Sequence, residues 1–409
     1  MFLAFASAPL VSLVSATFGQ SRRTRNIYGQ SEWVEVGNLS QSLGWVFLAA
    51  SVLLSATMLF QKSRSSGKQS RVENILILGV LATILLSVLW NWGQWDQVDL
   101  AKLLIFLFCS ASVFAVGVPT DLSLTLSKLS AGLVLATAVF ALVNTNYSVT
   151  ECRSDKCTEF GILLNSFFPH ENFLAMYLAA CLPFLRLFKN FWFRNSITLV
   201  SVLLIYMSGS RIIYLAIALY FAWSFFKKFR RMALAIPLSA VLSLVVFLTV
   251  RGTDFTDRGL IYSALWTGLS KSWIFGTGPN SLEIALANGD LPGFLPSHEH
   301  GFAPHVISNF GLLTFVALIL FLVVRTNTLS GGESPNYRVI DVLPLLVLSL
   351  TFSTETPIVL TYSAAFSWAW FLFLSRNLRD DEGAINEQIK IQSANPYNRS
   401  PASPKPGTM

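Results

Sequence analysis

Only four histidines occur in the chain, His170, His298, His300 and His305. Histidine is the side chain that exchanges a proton most readily near neutral pH. Three of the four gather in one stretch, with Glu299 between His298 and His300, and zinc is held by His, Cys and carboxylate ligands. The stretch lacks the helical pair of histidines four apart with an intervening glutamate. No metal is therefore expected, and proton transfer is the chemistry these residues suggest beside a plain interfacial role.

Two arginines stand out next. Arg211 closes the string Ser208-Gly209-Ser210-Arg211 between two apolar runs, and Arg258 follows Asp254 and Asp257 just after another. An arginine at membrane depth is costly and is usually functional. Its planar fork matches phosphate oxygens, and small residues before Arg211 let a backbone or ligand approach closely. The simpler alternative for each is pairing with a nearby carboxylate, which for Arg258 means Asp254 or Asp257. Gly276-Thr277-Gly278 marks a turn. Cys152 and Cys157 share a short loop and are either two free thiols or a disulfide.

What must position these residues is a set of apolar helices. The chain is 53% hydrophobic and only 12% charged, against about 25% charged in soluble domains. Runs of roughly 20 apolar residues span a bilayer, and in lipid they must be helical. Spans are expected near 1–18, 43–60, 74–92, 100–117, 129–146, 170–187, 195–210, 211–226, 232–250, 304–324, 340–357 and 359–375. This is an all-α polytopic membrane protein of about twelve helices, with one transmembrane domain over 1–375 and a Ser-, Pro- and Asn-rich tail over 376–409 that reads as disordered.

The basic residues orient it. Lys62–Arg71, Arg186–Arg194, Lys227–Arg231, Arg325, Arg338 and the start of the tail form one alternate set of connectors. Lys and Arg mark the cytoplasmic side, which places both termini inside and all four histidines outside. The net charge of +7 is thus a topology signal and not a nucleic-acid surface. Arg22, Arg23 and Arg25 fall outside and disagree, so the first apolar stretch is a half-helix, an interfacial element or a span. The longest outer connector, about 251–303, keeps aromatic and aliphatic residues at 260–266 and 273–275 and is expected to be ordered and functional.

The segment 160–325 resembles the superfamily of O-antigen ligases and O-antigen or exopolysaccharide polymerases. Phe168-Pro169-His170-Glu171-Asn172-Phe173-Leu174-Ala175 with Leu182-Pro183 is similar to the family's Asn-containing helix start. Ser208-Gly209-Ser210-Arg211 is similar to its Ser-x-Ser-Arg signature. Arg258, Tyr262 and Gly276-Thr277-Gly278 resemble its Arg-x-x-x-Trp and Gly-x-Gly segment. His300, eleven residues before Gly311-Leu312-Leu313, resembles its outer-loop histidine. Two departures stand: Gly301 follows His300 where the family has Asn, and Pro304 replaces an aliphatic residue. A one-residue shift of register leaves His298 as the alternative.

The resemblance implies a membrane glycosyltransferase of GT-C-like architecture acting on the outer face of the inner membrane without a cofactor. Its donor would be a polyprenyl-pyrophosphate-linked glycan. Its acceptor would be another glycan if it is a polymerase, or a lipid, protein or cell-wall acceptor if it is a ligase. Arg211 and Arg258 would hold the pyrophosphate. His300 or His298 would act as base, with inversion at the anomeric carbon, and His170, Asn172, Ser210 and His305 would line the substrate site. Membrane lipids and other polysaccharide-assembly proteins are the further partners; nucleic acid is not. Transport of a polysaccharide or lipid is the alternative from another class, but no internal repeat of the kind common in transporters is evident.

Overall fold

The protein is described by a computed structural model, which covers residues 2–18, 21–25, 31–35, 38–61, 71–116, 122–152, 157–168, 170–210, 213–214, 217–218, 234–250, 258–270, 272–279, 301–331 and 374. Its helices are α1 (Phe2–Thr17), α2 (Asn38–Gln61), α3 (Arg71–Trp90), α4 (Gln97–Val116), α5 (Leu122–Val143), α6 (Glu171–Leu185), α7 (Phe191–Met207), α8 (Ala235–Thr249), α9 (Arg258–Leu269) and α10 (Phe302–Gly331). Five of them, α2, α3, α4, α5 and α10, are long and apolar enough to cross a bilayer. At 15 to 17 residues, α6, α7 and α8 are shorter apolar helices. α1 has 16 residues, short of the roughly 20 that span a bilayer upright. The expected spans at 340–357 and 359–375, most of 211–226, and the tail lie outside the described residues apart from a few single positions.

The described residues are mostly helical, as expected, and two short hairpins accompany the helices. Antiparallel strands β1 (Ser21–Arg25) and β2 (Ser31–Glu35) form a hairpin after α1, with Arg23 opposite Trp33. A second hairpin, β3 (Val149–Glu151) with β4 (Ile162–Leu164), follows α5. Strands this short carry too few alternating residues for their period to be seen. The expected outer loop is also partly helical: α9 buries Ile261, Tyr262, Leu265 and Leu269 on one face and exposes Trp266.

The buried apolar side chains fall into two clusters. One joins α3, α4, α8, α9 and α10, the other α5, α6 and α7 with the second hairpin. In the first, α3 and α10 run antiparallel. Glu73 near the start of α3 meets Arg325 near the end of α10 at 3.2 Å, with both side chains 4% exposed. Ser87, near the other end of α3, donates to the carbonyl of Asn309 at 3.1 Å. The two contacts are separated by 14 and 16 residues, which is about 21–24 Å of helix. Arg325 therefore serves as an interhelical ion pair, a role its basic-connector reading did not include.

Within α10 the helix is broken. Gly311 adopts φ 84°, ψ 170°, a region open essentially to glycine alone. The backbone groups freed by the break are taken up by the segment 272–279. Leu312 N–H donates to the Trp273 carbonyl at 2.9 Å and Leu313 N–H to that of Ile274 at 3.3 Å, while Thr277 N–H donates to the Ser308 carbonyl at 2.6 Å. Such pairing is what allows a helix to be interrupted where water is scarce.

Candidate functional site

Two groups of the sequence-selected residues come together in the structure. In the first, Phe167, Phe168 and Tyr177 stack in succession, with centroids 4.6 and 5.4 Å apart. They lock the end of the β4 segment onto α6. His170 then caps α6: its Nδ1 accepts from Asn172 N–H at 3.0 Å. The Glu171 carboxylate also lies 3.4 Å from that nitrogen. One nitrogen cannot both accept the amide proton and donate to the carboxylate, and the shorter bond has cap geometry. With Nδ1 accepting, the ring proton of the neutral imidazole form sits on Nε2.

α7 begins under a cap in which Asn190 accepts from Phe193 N–H at 3.0 Å. It ends at Gly209 in the left-handed conformation, φ 66°, a common helix stop. The Ser210 carbonyl then accepts from the N–H groups of Ile213 and Tyr214, both at 3.1 Å, so Ser210 opens the next helical turn. α6 and α7 are antiparallel and touch where Ser201 Oγ donates to the Leu178 carbonyl at 3.4 Å. His170 lies eight residues before Leu178 and Ser210 nine after Ser201. At 1.5 Å per residue both rise about 12–14 Å above that contact. His170, Asn172 and Ser210 thus share one end of the helix pair. The second hairpin closes over the same end: Phe160 packs edge-on against Tyr206 at 6.2 Å, and Cys152 and Cys157 are joined as a disulfide, with Cα atoms 4.8 Å apart.

The second group is built around the break in α10. A Cβ on Gly276 would stand 2.6 Å from the Ser308 carbonyl oxygen, and one on Gly278 would stand 2.9 Å from Gln94 Cβ. A Cβ on Gly311 would collide with the Ile274 carbonyl. All three positions have positive φ. The Gly-Thr-Gly turn and the Gly-Leu-Leu segment, 35 residues apart in sequence by subtraction of 276 from 311, are therefore one structural joint. α3 braces it. Asn91 Nδ2 lies 3.1 Å from the carbonyls of both Phe275 and Gly276, and Ser87 Oγ donates to Phe275 at 2.6 Å as well as to Asn309.

His305 lies one turn before the joint, half-buried. Its Nδ1 is 2.9 Å and its Nε2 3.5 Å from Asn309 Nδ2, and its ring meets Phe310 at 6.3 Å. Trp95 packs on the same Phe310 at 5.7 Å. Asn309 is 2% exposed. Its Oδ1, and the indole nitrogen of Trp95, have no hydrogen-bond partner among the described residues.

Arg258 is the first residue of α9. Arg211, His298 and His300 lie outside the described residues. Among the described residues no three His, Cys, Asp or Glu side chains cluster as a metal site. Ser87, Asn91 and Asn309 carry the joint and were not singled out in the sequence. Their signal is weak: Ser87 and Asn91, like His305 and Asn309, are polar pairs four apart in apolar runs, and so share a helix face. No protein-family model matches the chain, and no curated protein matches it at a significant level.

Proposed function

We propose that the chain is a membrane glycosyltransferase that polymerises polyprenyl-pyrophosphate-linked oligosaccharide repeats on the outer face of the inner membrane. The observation that carries this reading is the joint itself. Two of the segments that resemble the superfamily, Gly276–Gly278 and the described part of the other, Gly301 to Leu313, are held together by backbone pairing and glycine contacts. The other two, at His170–Asn172 and Ser208–Ser210, lie at one end of α6 and α7. Reversing direction at each successive helix brings both groups to the same face of a twelve-span, GT-C-like protein, and the basic connectors assign that face outside.

The chemistry follows from the residue types. The pyrophosphate is a good leaving group with concentrated negative charge, which Arg211 and Arg258 hold and neutralise as it departs. The acceptor sugar hydroxyl is a poor nucleophile until a neutral histidine takes its proton, an effect worth about 10²–10⁴-fold. The new glycosidic bond forms as the bond from the anomeric carbon to the phosphate oxygen breaks, and the centre inverts. No metal or nucleotide sugar enters. A ligase would share every step but the acceptor.

The test is chromosomal inactivation followed by analysis of the surface glycan. Collapse of the polymer ladder to a single repeat unit is the expected result. An intact ladder that is no longer attached to its acceptor would identify a ligase instead. An unchanged glycan would remove the glycosyltransferase reading altogether.

A further inference from the structure

The connector from α6 to α7 lies at the end of that helix pair opposite His170 and Ser210. It reads Arg186-Leu187-Phe188-Lys189-Asn190-Phe191-Trp192-Phe193-Arg194. Leu187, Phe191 and Phe193 are exposed, and Trp192 is 78% exposed. These side chains form a ledge. Phe188 meets Phe193 edge-on at 4.9 Å, and Phe191 meets Trp192 edge-on at 5.7 Å. The Arg194 guanidinium carbon stands 5.4 Å from the centre of the Phe191 ring, and the exposed Lys189 lies beside it in the connector. The Asn190 cap fixes the turn into α7. From Trp192 the exposed apolar surface continues along α7 through Leu199 and Leu203, a spacing that keeps all three on one helical face.

Helix length sets the depth of this ledge. α6 has 15 residues and α7 has 17. That is about 22–26 Å of helix against a hydrocarbon core of about 30 Å. With its outer end at the surface, the pair stops short of the inner headgroups. Aromatic rings suit that boundary, and long cationic side chains reach from it toward the phosphates. No carboxylate close in sequence can neutralise these cations, because no Asp or Glu occurs between Glu171 and Asp254. Exposed Phe and Trp grouped beside cations mark a surface that meets something other than water. On the cytoplasmic side, basic residues at the membrane attract anionic lipids.

We propose that the α6–α7 connector binds an anionic glycerophospholipid of the cytoplasmic leaflet. Arg194 and Lys189 engage its phosphate, the first with a planar fork and the second as a point charge. One acyl chain lies along Trp192, Leu199 and Leu203. No bond is made or broken. The proposal stands on the inward placement of this connector and not on glycosyl transfer. Its consequence for the candidate site is mechanical. The lipid holds the inner end of the two helices whose outer end carries His170, Asn172 and Ser210, and it stabilises the folded chain by mass action.

The experiment uses the full chain in nanodiscs of phosphatidylcholine, alone or mixed with phosphatidylglycerol. The readouts are the melting temperature and the lipid carried by the protein in native mass spectrometry. The unaltered chain should melt higher in the mixed discs and should carry phosphatidylglycerol out of them. Each cation at an anionic lipid surface contributes about fivefold in affinity, so Lys189→Gln combined with Arg194→Gln should weaken phosphatidylglycerol binding about 25-fold. The gain in melting temperature should vanish with it. Trp192→Ala should also weaken binding, whereas Lys102→Gln, which removes the ion pair with Asp99 in α4, should not. Equal melting of the unaltered chain in both discs, with no phosphatidylglycerol carried, overturns the proposal whatever the variants do. A double variant that binds phosphatidylglycerol as well as the unaltered chain overturns it too. If the double variant melts lower by the same amount in both discs, the cations pair with a carboxylate of this chain, such as Asp121 or Asp380, and the lipid assignment is wrong. If inorganic phosphate raises the melting temperature in detergent as much as phosphatidylglycerol does, the connector takes free anions and the lipid assignment is equally wrong.

Discussion

Gly276 backs directly onto Gly311: a Cβ on the first would stand 2.7 Å from the backbone nitrogen of the second. The segment 272–279 and the broken helix α10 are therefore held at backbone contact, with no side chain between them. Each glycine also has a positive φ, 75° and 84°, so both steric room and conformation select the residue type. The joint fixes where His305 and Asn309 stand relative to the Gly-Thr-Gly turn.

Alanine at either position should therefore be disruptive. Backbone strain alone costs about 1–3 kcal/mol, and the contact with another backbone cannot be relieved by moving a side chain. Gly276→Ala and Gly311→Ala should each lower the melting temperature of the detergent-solubilised protein. Gly268→Ala, in α9 with nothing within 4 Å of its Cβ, should leave it unchanged. Equal melting of all three would show that the connector is not pinned at Gly311.

The ion pair at the opposite end of α3 gives the next expectation. Glu73 and Arg325 are buried against each other, and removing one partner of such a pair leaves an uncompensated charge, at about 3–5 kcal/mol. Glu73→Gln and Arg325→Met should each reduce folded protein in the membrane. The double variant Glu73→Met with Arg325→Met should recover most of it, since paired apolar residues are often as stable as a buried pair. A double variant no better than the worse single one would mean that the charges do more than neutralise each other.

The sequence made the helices legible and the joint illegible, for a physical reason. α3, expected over 74–92, runs Arg71–Trp90 because its apolar run has clear polar limits at both ends. The expected span 304–324 lies inside α10, yet its apolar run shows nothing at Gly311, since an isolated glycine in a helical pattern is tolerated. The break exists because the Ile274 carbonyl occupies the place of a Cβ, a contact made by residues far away in sequence. Asn309 was hidden likewise, as one polar residue in an apolar helix whose neighbour His305 drew attention only as one of a group of three histidines. The cap on α6 was half visible: a helix start at His170 was expected, but His is not a usual cap residue, and the accepting role of its Nδ1 follows only from the Asn172 bond.

The second hairpin supplies a test of sidedness. A disulfide persists on the oxidising side of the membrane and is reduced in the cytosol. Mass mapping without reductant should recover Cys152 linked to Cys157, while Cys109 and Cys181, buried in α4 and α6, should alkylate only after denaturation. Reporter fusions after Lys228 and after Asn288 should give opposite readouts. Two alkylatable thiols at Cys152 and Cys157 in native protein, or the same readout from both fusions, would overturn the outward placement of the site.

The arginines give the prediction on which the leaving-group chemistry depends. A lysine keeps the charge but loses the planar fork that engages two phosphate oxygens at once. If Arg211 and Arg258 hold the pyrophosphate, Arg211→Lys and Arg258→Lys should each lower polymer formation about tenfold or more at equal membrane abundance. Binding of the lipid-linked donor to the purified protein should weaken as well. The histidine variants should behave differently, because they remove proton transfer and leave the pyrophosphate contacts in place: His300→Gln, His298→Gln and His305→Gln should retain donor binding whichever of them stops turnover. Near-normal polymer from both arginine variants would assign Arg211 and Arg258 to pairing with carboxylates such as Asp254 and Asp257. Departure of the pyrophosphate would then need another source of positive charge.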